Sequence, residues 1–212
     1  MNGNRGEAVH DMLIEEGHEV STVHRDAGNV NSPEFIDMVT AKEPDLFICA
    51  GYSQIFKKEL LSVPKKGTWN CHAGPVPEYR GGSPLNWQII DGRDTLGITV
   101  LLMDEGIDTG PVLATGEADC PKTASIQAAH EWANKAFPAL IKELLKLETP
   151  QATPQPETDA YKKQRSDEDG ELNPDWPVEQ QYNFIRALTH PYPGAWIEKD
   201  GKRMRIWSAS MD

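Results

Sequence analysis

An asparagine, a histidine and an aspartate in this chain have side chains that could move an acyl group onto an amine: Asn70, His72 and Asp108. An amide can donate a hydrogen bond to an oxygen that becomes negative. An imidazole can shuttle a proton near neutral pH, and a carboxylate can orient that imidazole. Asp108 follows Asn70 by 38 positions, which leaves room for a helix and a strand. We therefore expect the three groups to meet at the same end of a sheet.

The elements that must position these groups alternate between helix and strand. Apolar residues recur at helical spacing in some segments and form short runs in others. The predicted helices cover residues 5–16, a segment beginning at Ser32-Pro33, and residues 56–61, 84–90 and 125–147. The predicted strands cover residues 19–23, 45–50, 67–71 and 97–103.

This alternation predicts an α/β fold with a doubly wound, mostly parallel sheet. Such sheets bind ligands outside the carboxyl ends of their strands. The loops after Ala50, Cys71 and Met103 are where that rule predicts a site.

The last third of the chain has a different composition. Residues 149–160 are polar and contain three prolines, which is typical of a linker. We expect a catalytic domain over residues 1–148 and a C-terminal extension over residues 161–212. The extension should contain a helix over residues 178–188 and a hairpin of residues 195–197 and 203–207, turned at Asp200-Gly201.

The first residues are unusual for such a fold, which normally opens with an apolar central strand. Residues 1–6 look like the loop after that strand, so the first strand is apparently missing. Either the true start lies upstream, or this is a reduced form that patches the gap. The backbone of this glycine-bearing loop, with Asn4 and Arg5, could approach a nucleotide phosphate, although a glycine-rich start alone is a weak signal.

Composition narrows the classes of partner. The chain carries 33 acidic and 21 basic residues, a formal charge of −12, which argues against nucleic acid as the substrate. No apolar run is long enough to cross a membrane, and three cysteines fit a reduced, cytoplasmic protein. The six histidines show no paired spacing for metal ligands, so we expect no metal.

Three ordered blocks and the C-terminal tail carry a resemblance to a known family. Residues 70–87, beginning Asn-Cys-His-Ala-Gly-Pro, resemble the Asn-x-His signature loop of the N10-formyltetrahydrofolate-dependent formyltransferases. Residues 97–110 resemble that family's second signature, and residues 50–56 its pterin-binding loop. Residues 162–176 and 185–196 are similar to the tail of the methionyl-tRNA and amino-sugar branches.

The resemblance implies a Rossmann-like fold, N10-formyltetrahydrofolate as co-substrate, and Asn70, His72 and Asp108 as catalytic residues. It also implies a set of residues around the folate: Gln54, Ile55, Phe56, Gly74, Pro75, Val76, Pro77, Asp104, Glu105, Gly106 and Ile107. Asp104 and Glu105 could equally be solvated loop acids. The acceptor substrate would meet Asn4 and Arg5 together with Tyr79, Arg80 and Gly81, where an arginine suits an anion but two glycines can also make a plain turn.

The resemblance does not decide which amine accepts the formyl group, because the branches of this family differ in their acceptor. The tail speaks against the purine branch, which formylates glycinamide ribonucleotide. The acidic balance and the short tail favour the nucleotide-linked amino sugars of the 4-amino-4,6-dideoxy type over methionyl-tRNA or another amine. An inactive module that binds folate or a nucleotide sugar is the alternative from another class. We also expect a homodimer through the C-terminal hairpin, because the hairpin's apolar side chains need a cover: Trp196, Ile197, Ile206 and Trp207.

Overall fold

The computed structural model describes residues 3–24 and 26–211, which form six α-helices and six strands with one short 3-10 helix at Asp167–Gly170. The helices are α1 (Gly3–Glu15), α2 (Pro33–Thr40), α3 (Lys58–Leu61), α4 (Pro84–Ile90), α5 (Ile126–Leu145) and α6 (Val178–Ala187). The strands are β1 (Phe47–Cys49), β2 (Thr68–His72), β3 (Thr95–Leu102), β4 (Val112–Asp119), β5 (Ala195–Lys199) and β6 (Lys202–Ile206).

The predicted α/β class is confirmed, with a four-stranded sheet in the order β1-β2-β3-β4 and a separate two-stranded sheet of β5 and β6. Strands β1 and β2 are parallel, and Cys49 is the partner of Asn70. Strand β3 runs antiparallel to β2, with Asn70 opposite Leu101 and His72 opposite Thr99. Strand β2 is therefore hydrogen-bonded on both edges, which fixes the residues that it presents.

Two segments differ from the sequence-based expectation. The predicted strand over residues 19–23 is wrong: these residues form no strand and are mostly exposed, and a strand needs both a pairing partner and a buried face. Strand β4 was not predicted, because its sequence Val-Leu-Ala-Thr-Gly-Glu-Ala-Asp is poor in the β-branched and aromatic residues that favour strands.

The chain forms two compact units, each built from several segments. The first contains residues 1–72, 98–116 and 134–158. One of its core clusters gathers apolar side chains from around β1 and α2, and the buried members are Val30, Val39, Cys49, Phe56 and Leu60. Helix α2 begins as predicted: Ser32 is the N-cap, its hydroxyl accepts a hydrogen bond from the Phe35 N–H, and Pro33 is the first helical residue.

The expected loop over residues 3–6 is also wrong, because α1 begins at Gly3. The helix places Val9 and Met12 in the core, and burial of these side chains supports helical structure through the preceding turn. Arg5 lies within this first turn, with its guanidinium 5.0 Å from the centre of the Phe137 ring. The side chain of Asn4 lies outside the described residues.

Helix α1 gives a simple test at Gly6. A methyl group there would lie 3.5 Å from the Ala50 carbonyl oxygen, an ordinary contact, and alanine is favoured over glycine in helices by about 0.5–1 kcal/mol. We expect Gly6→Ala to raise the free energy of unfolding by about that amount in urea titrations. The control is Gly17→Ala, where φ is +82° and the effect should have the opposite sign. A destabilised Gly6→Ala protein would contradict a helix through this residue.

The second unit contains residues 73–97, 117–133 and 159–212. Its core joins α6 to the C-terminal hairpin through a cluster of buried side chains: Leu172, Phe184, Ile185, Leu188 and Ala195. Ile197 and Ile206 pack against this cluster, and Trp196 is buried. The hairpin turns at Asp200 and Gly201, both with positive φ, as the sequence predicted.

Within residues 3–24 and 26–211, no helix combines the length and the apolar character needed to cross a bilayer.

Candidate active site

Strand β2 presents Asn70 and His72 on one face, because alternate residues of a strand point the same way. His72 is 6% exposed and Asn70 is half-buried. Cys71 points to the opposite face and is buried. The Asn-x-His spacing is thus the spacing that brings an amide and an imidazole to the same side of a strand.

The carboxylate of Asp108 contacts both of these side chains, one with each oxygen. Asn70 Nδ2 donates to Asp108 Oδ1 at 2.8 Å, and His72 Nδ1 lies 3.2 Å from Asp108 Oδ2. The Asp108 side chain is 11% exposed, so little water competes for these contacts. A carboxylate at Nδ1 favours the tautomer in which Nδ1 carries the proton, and this directs Nε2 to exchange protons with a bound reactant.

Asp108 does not reach these residues in the way that the sequence suggested. The expectation of three strands ending at the same edge is wrong for β3, because β3 is antiparallel to β2 and Met103 donates to the carbonyl of Thr68 at the start of β2. The loop of residues 103–111 must instead fold back along the sheet. Asp108 lies in this loop with φ of +54°, a left-handed conformation that aspartate tolerates better than most residues.

The loop of residues 103–111 is held by its own polar groups. At its base the N–H of Leu102 donates to the carbonyl of Pro111 at 2.9 Å. Within the loop the Asp104 carboxylate accepts from the Gly106 N–H at 3.0 Å and from the Thr109 hydroxyl at 2.6 Å. Asp104, predicted to lie near folate, therefore also shapes the loop that carries Asp108.

The remaining predicted folate residues of the first unit lie on two loops. Gln54 is tied to the backbone: it accepts from the Val30 N–H and donates to the carbonyl of Gly28. Phe56 belongs to the core, whereas its neighbour Ile55 is 58% exposed. The second loop is also exposed, and its members are Asp104, Glu105, Gly106 and Ile107.

The predicted residues that follow β2 belong to the second unit. Gly74 is buried, and Pro75, Val76 and Pro77 are half-buried. Tyr79 donates its hydroxyl to the Asp91 carboxylate at 3.1 Å, and burial together with this carboxylate raises the pKa of Tyr79 to about 12.

Arg80 and Gly81, predicted to meet the acceptor, lie against residues of the C-terminal extension. The Lys162 N–H donates to the Arg80 carbonyl, and Gly81 forms a parallel bridge to Lys162. Arg80 is 7% exposed. The contact of Arg80 with an anionic acceptor stays a prediction.

Sequence reasoning missed a buried glutamine that organises the second unit. Gln88 lies in the apolar run of α4 and is fully buried. Its amide nitrogen donates to the carbonyls of Ala73 and Gly97, and its amide oxygen accepts from the Gly97 N–H. A polar residue inside an apolar helix face was the only sequence signal, and it indicates burial without naming the partners.

The thiol between Asn70 and His72 is not a nucleophile at neutral pH. Burial raises the pKa of Cys71 to about 12, so the thiol stays protonated. Among the described residues there is also no group of three or more His, Cys, Asp or Glu side chains that could hold a metal ion. The groups that the site offers are therefore an amide, an imidazole and a carboxylate.

Residues 5–140 match the formyl transferase family model, and residues 165–212 match the model of the formyl transferase C-terminal domain. The first match covers more than half of the chain, and the chain belongs to the formyl transferase family. The family resemblance inferred from the signature residues is confirmed.

One curated relative is a methionyl-tRNA formyltransferase from Caldanaerobacter subterraneus subsp. tengcongensis, 34% identical over 185 residues. The matched region covers 85% of this chain and 60% of that protein. The chain thus spans about 60% of the length of this relative.

Two solved structures share the fold. A methionyl-tRNA formyltransferase from Clostridium thermocellum has a TM-score of 0.81 at 24% identity, covering 100% of this chain and 91% of that one. A sugar N-formyltransferase from Shewanella sp. has a TM-score of 0.77 at 21% identity, covering 100% and 96%. The expected Rossmann-like formyltransferase fold is confirmed, and at these identities the likeness concerns the fold alone.

Proposed function

We propose that this protein transfers a formyl group from N10-formyltetrahydrofolate to a primary amine, with Asn70, His72 and Asp108 as the catalytic residues. The observation that carries the proposal is the Asp108 carboxylate, which contacts the amide of Asn70 and the imidazole of His72. Such a set matches the needs of acyl transfer to an amine, which are an oxyanion donor and a proton carrier.

Each residue has a role in a balanced reaction. The uncharged amine attacks the formyl carbon, and the carbonyl oxygen becomes an oxyanion that the second N–H of the Asn70 amide can stabilise. His72, oriented by Asp108, accepts the proton that leaves the amine. The bond between the formyl carbon and N10 then breaks, and the proton returns to N10.

The loops predicted to hold folate fit a flat, partly apolar ring. Each exposes an isoleucine, Ile55 at 58% and Ile107 at 44%, and exposed apolar side chains suit ring stacking and burial. Backbone groups of the same loops would supply the hydrogen bonds. Solved neighbours of this fold include one described in complex with tetrahydrofolic acid.

For the acceptor we favour a nucleotide-linked amino sugar of the 4-amino-4,6-dideoxy type. A nucleic acid would require a basic face, and the chain carries a formal charge of −12. The arginines of the C-terminal hairpin are paired with carboxylates: Arg203 contacts Glu168 at 2.7 Å, and both Arg205 Nη atoms contact Asp167 at 2.7 Å. The hydrogen bond from Arg205 lowers the pKa of Asp167, so this pair persists at neutral pH.

Methionyl-tRNA is the second candidate acceptor, and the 34% identical relative of that name supports it. The two acceptors would require different contacts with the protein. A tRNA acceptor would need many phosphate contacts and would lose affinity steeply with salt, whereas a small acceptor would not.

A panel of acceptors tests both the reaction and the substrate. We expect a dTDP- or GDP-linked 4-amino sugar to gain one formyl mass with release of tetrahydrofolate, and charged initiator tRNA to remain unmodified. Efficient formylation of methionyl-tRNA at physiological salt would overturn the choice of acceptor. Absence of transfer to every amine would favour the binding module without activity, and binding of folate alone would then be measured by calorimetry.

The predicted homodimer and the cytoplasmic location stay predictions. Three of the four hairpin side chains expected at the dimer contact pack within the protein's own second unit: Trp196 is buried, and Ile197 and Ile206 are partly buried. Trp207, the fourth, is 40% exposed and stacks on His190 with ring centres 4.3 Å apart, and Met204 of the same hairpin is 58% exposed. These two side chains are the apolar surface that supports a dimer through this hairpin.

A further inference from the structure

The loop that carries Asp108 is also held from outside by one side chain of the predicted linker. Gln155 Nε2 donates to the carbonyl of Asp108 at 2.9 Å and to the carbonyl of Gly110 at 2.6 Å. A single amide group thus donates both of its N–H bonds to the loop of residues 103–111.

The burial of Gln155 sets it apart from its neighbours. Residues 151–159 are all described, and Gln155 is the one residue among them that is not exposed. Exposed glutamines bond to water, and burial of an amide is unfavourable unless it is hydrogen-bonded. Gln155 is partly buried, and its hydrogen bonds to the two carbonyls offset the cost of removing its amide from water.

The backbone before Gln155 is fixed by a second contact. Thr153 and Val112 exchange two hydrogen bonds of 2.8 Å, which joins the linker to the first residue of β4. This bridge places Gln155 beside the end of the loop. An amide held in advance can orient a loop with little further ordering.

The contacts of Gln155 lead directly to the proposed catalytic carboxylate. Asp108 adopts a left-handed backbone conformation, and its carbonyl accepts a hydrogen bond from Gln155. Its carboxylate contacts Asn70 and His72. A rotation of this backbone would move the carboxylate away from both partners. Residues in such conformations persist when their surroundings over-determine them.

We propose that Gln155 is a positioning residue for formyl transfer: it clamps the carbonyls of Asp108 and Gly110, and so holds the Asp108 carboxylate against Asn70 and His72. This inference rests on the proposed function. The effect of Gln155 on the reaction would pass through Asp108, whose carbonyl it contacts.

The test replaces Gln155 with methionine, which keeps the length of the side chain and removes both donors. The matched control is Gln151→Met, the same change at an exposed position of the same segment. In Gln155→Met we expect kcat with N10-formyltetrahydrofolate and a dTDP-linked 4-amino sugar to fall about thirtyfold to a hundredfold. The KM for the folate should stay within about twofold, because Gln155 contacts the loop at Asp108 and Gly110, whereas the predicted folate residues 104–107 keep the hydrogen bonds of the Asp104 carboxylate.

A double-mutant cycle separates positioning from a general structural role. In an Asp108→Asn background, Gln155→Met should cause no further loss of kcat, because its effect passes through the carboxylate already removed. An equal loss in both backgrounds, or a Gln155→Met protein with the wild-type kcat, would overturn the proposal.

Hydrogen exchange of the full chain without ligand gives a readout that needs no activity. The peptide that covers residues 103–111 should exchange about tenfold faster in Gln155→Met and at the wild-type rate in Gln151→Met. If the wild-type protein formylates no acceptor, the proposed function fails, and the exchange result alone decides whether Gln155 clamps the loop. Unchanged exchange in Gln155→Met would refute the clamp whatever the activity.

Discussion

Replacing Asp108 with asparagine is expected to lower the rate of formyl transfer by about a hundredfold or more while the fold and the binding of folate persist. The substitution keeps the size of the side chain and removes its charge. In the wild-type protein one carboxylate oxygen lies 3.2 Å from His72 Nδ1. The substitution turns the carboxylate into a neutral amide, and the imidazole loses its charged partner. Single-turnover assays with labelled formyl donor measure the rate, and fluorescence titration measures folate binding.

The control for this substitution is Asp37→Asn, which makes the same chemical change on the exposed face of α2. It should leave turnover unchanged. Asn70→Ala and His72→Ala should also reduce turnover by orders of magnitude, because the three side chains act as one set. A rate within about threefold of wild type in any of the three would remove that residue from the mechanism.

The contact between Asn70, His72 and Asp108 was predicted from the sequence, but by an argument that the sheet does not support. The residue types and the Asn-x-His spacing can be read from a few neighbouring residues. The placement of the Asn70 and His72 side chains on one face follows from strand geometry alone. The direction of β3 is not local. It depends on how the segment after α4 returns to the sheet, which no periodicity in a single sequence records.

Gln155 shows a second limit of sequence reasoning. It lies between two prolines in a polar stretch, a composition that is typical of a linker. Its two hydrogen bonds join residues more than forty positions apart. Such long-range pairing leaves no trace in local composition, so a role for Gln155 could not be predicted from the sequence.

Local patterns, in contrast, predicted turns and caps well. Ser32-Pro33 begins α2, and Asp200-Gly201 turns the hairpin with positive φ at both residues. These features depend on φ preferences and on side chain to backbone hydrogen bonds within four residues, which the sequence states directly.

Gly110 is the position of the loop around Asp108 that has the least room for a side chain. Gly110→Ala is therefore expected to lower both the stability and the turnover of the protein. A methyl group at Gly110 would overlap the carbonyl oxygen of Leu102, and backbone atoms cannot move aside as a flexible side chain can. The base of the loop is closed there by the hydrogen bond between Leu102 and Pro111. To admit the methyl group the base must open, and Asp108, two residues earlier, must move with it.

We expect Gly110→Ala to lower the free energy of unfolding by about 2 kcal/mol or more and kcat by about a hundredfold, measured where both proteins are fully folded. The matched control is Gly116→Ala on β4, where the nearest atoms are side-chain carbons of Ile98 and Leu140 at 3.2–3.4 Å. Those side chains can shift, so the control should lose less than about 1 kcal/mol and keep its kcat. A Gly110→Ala protein that is destabilised yet turns over at the wild-type rate would show that the loop holds Asp108 without its closed base. The position of Asp108 would then depend on the hydrogen bonds of Gln155 and of the Asp104 carboxylate.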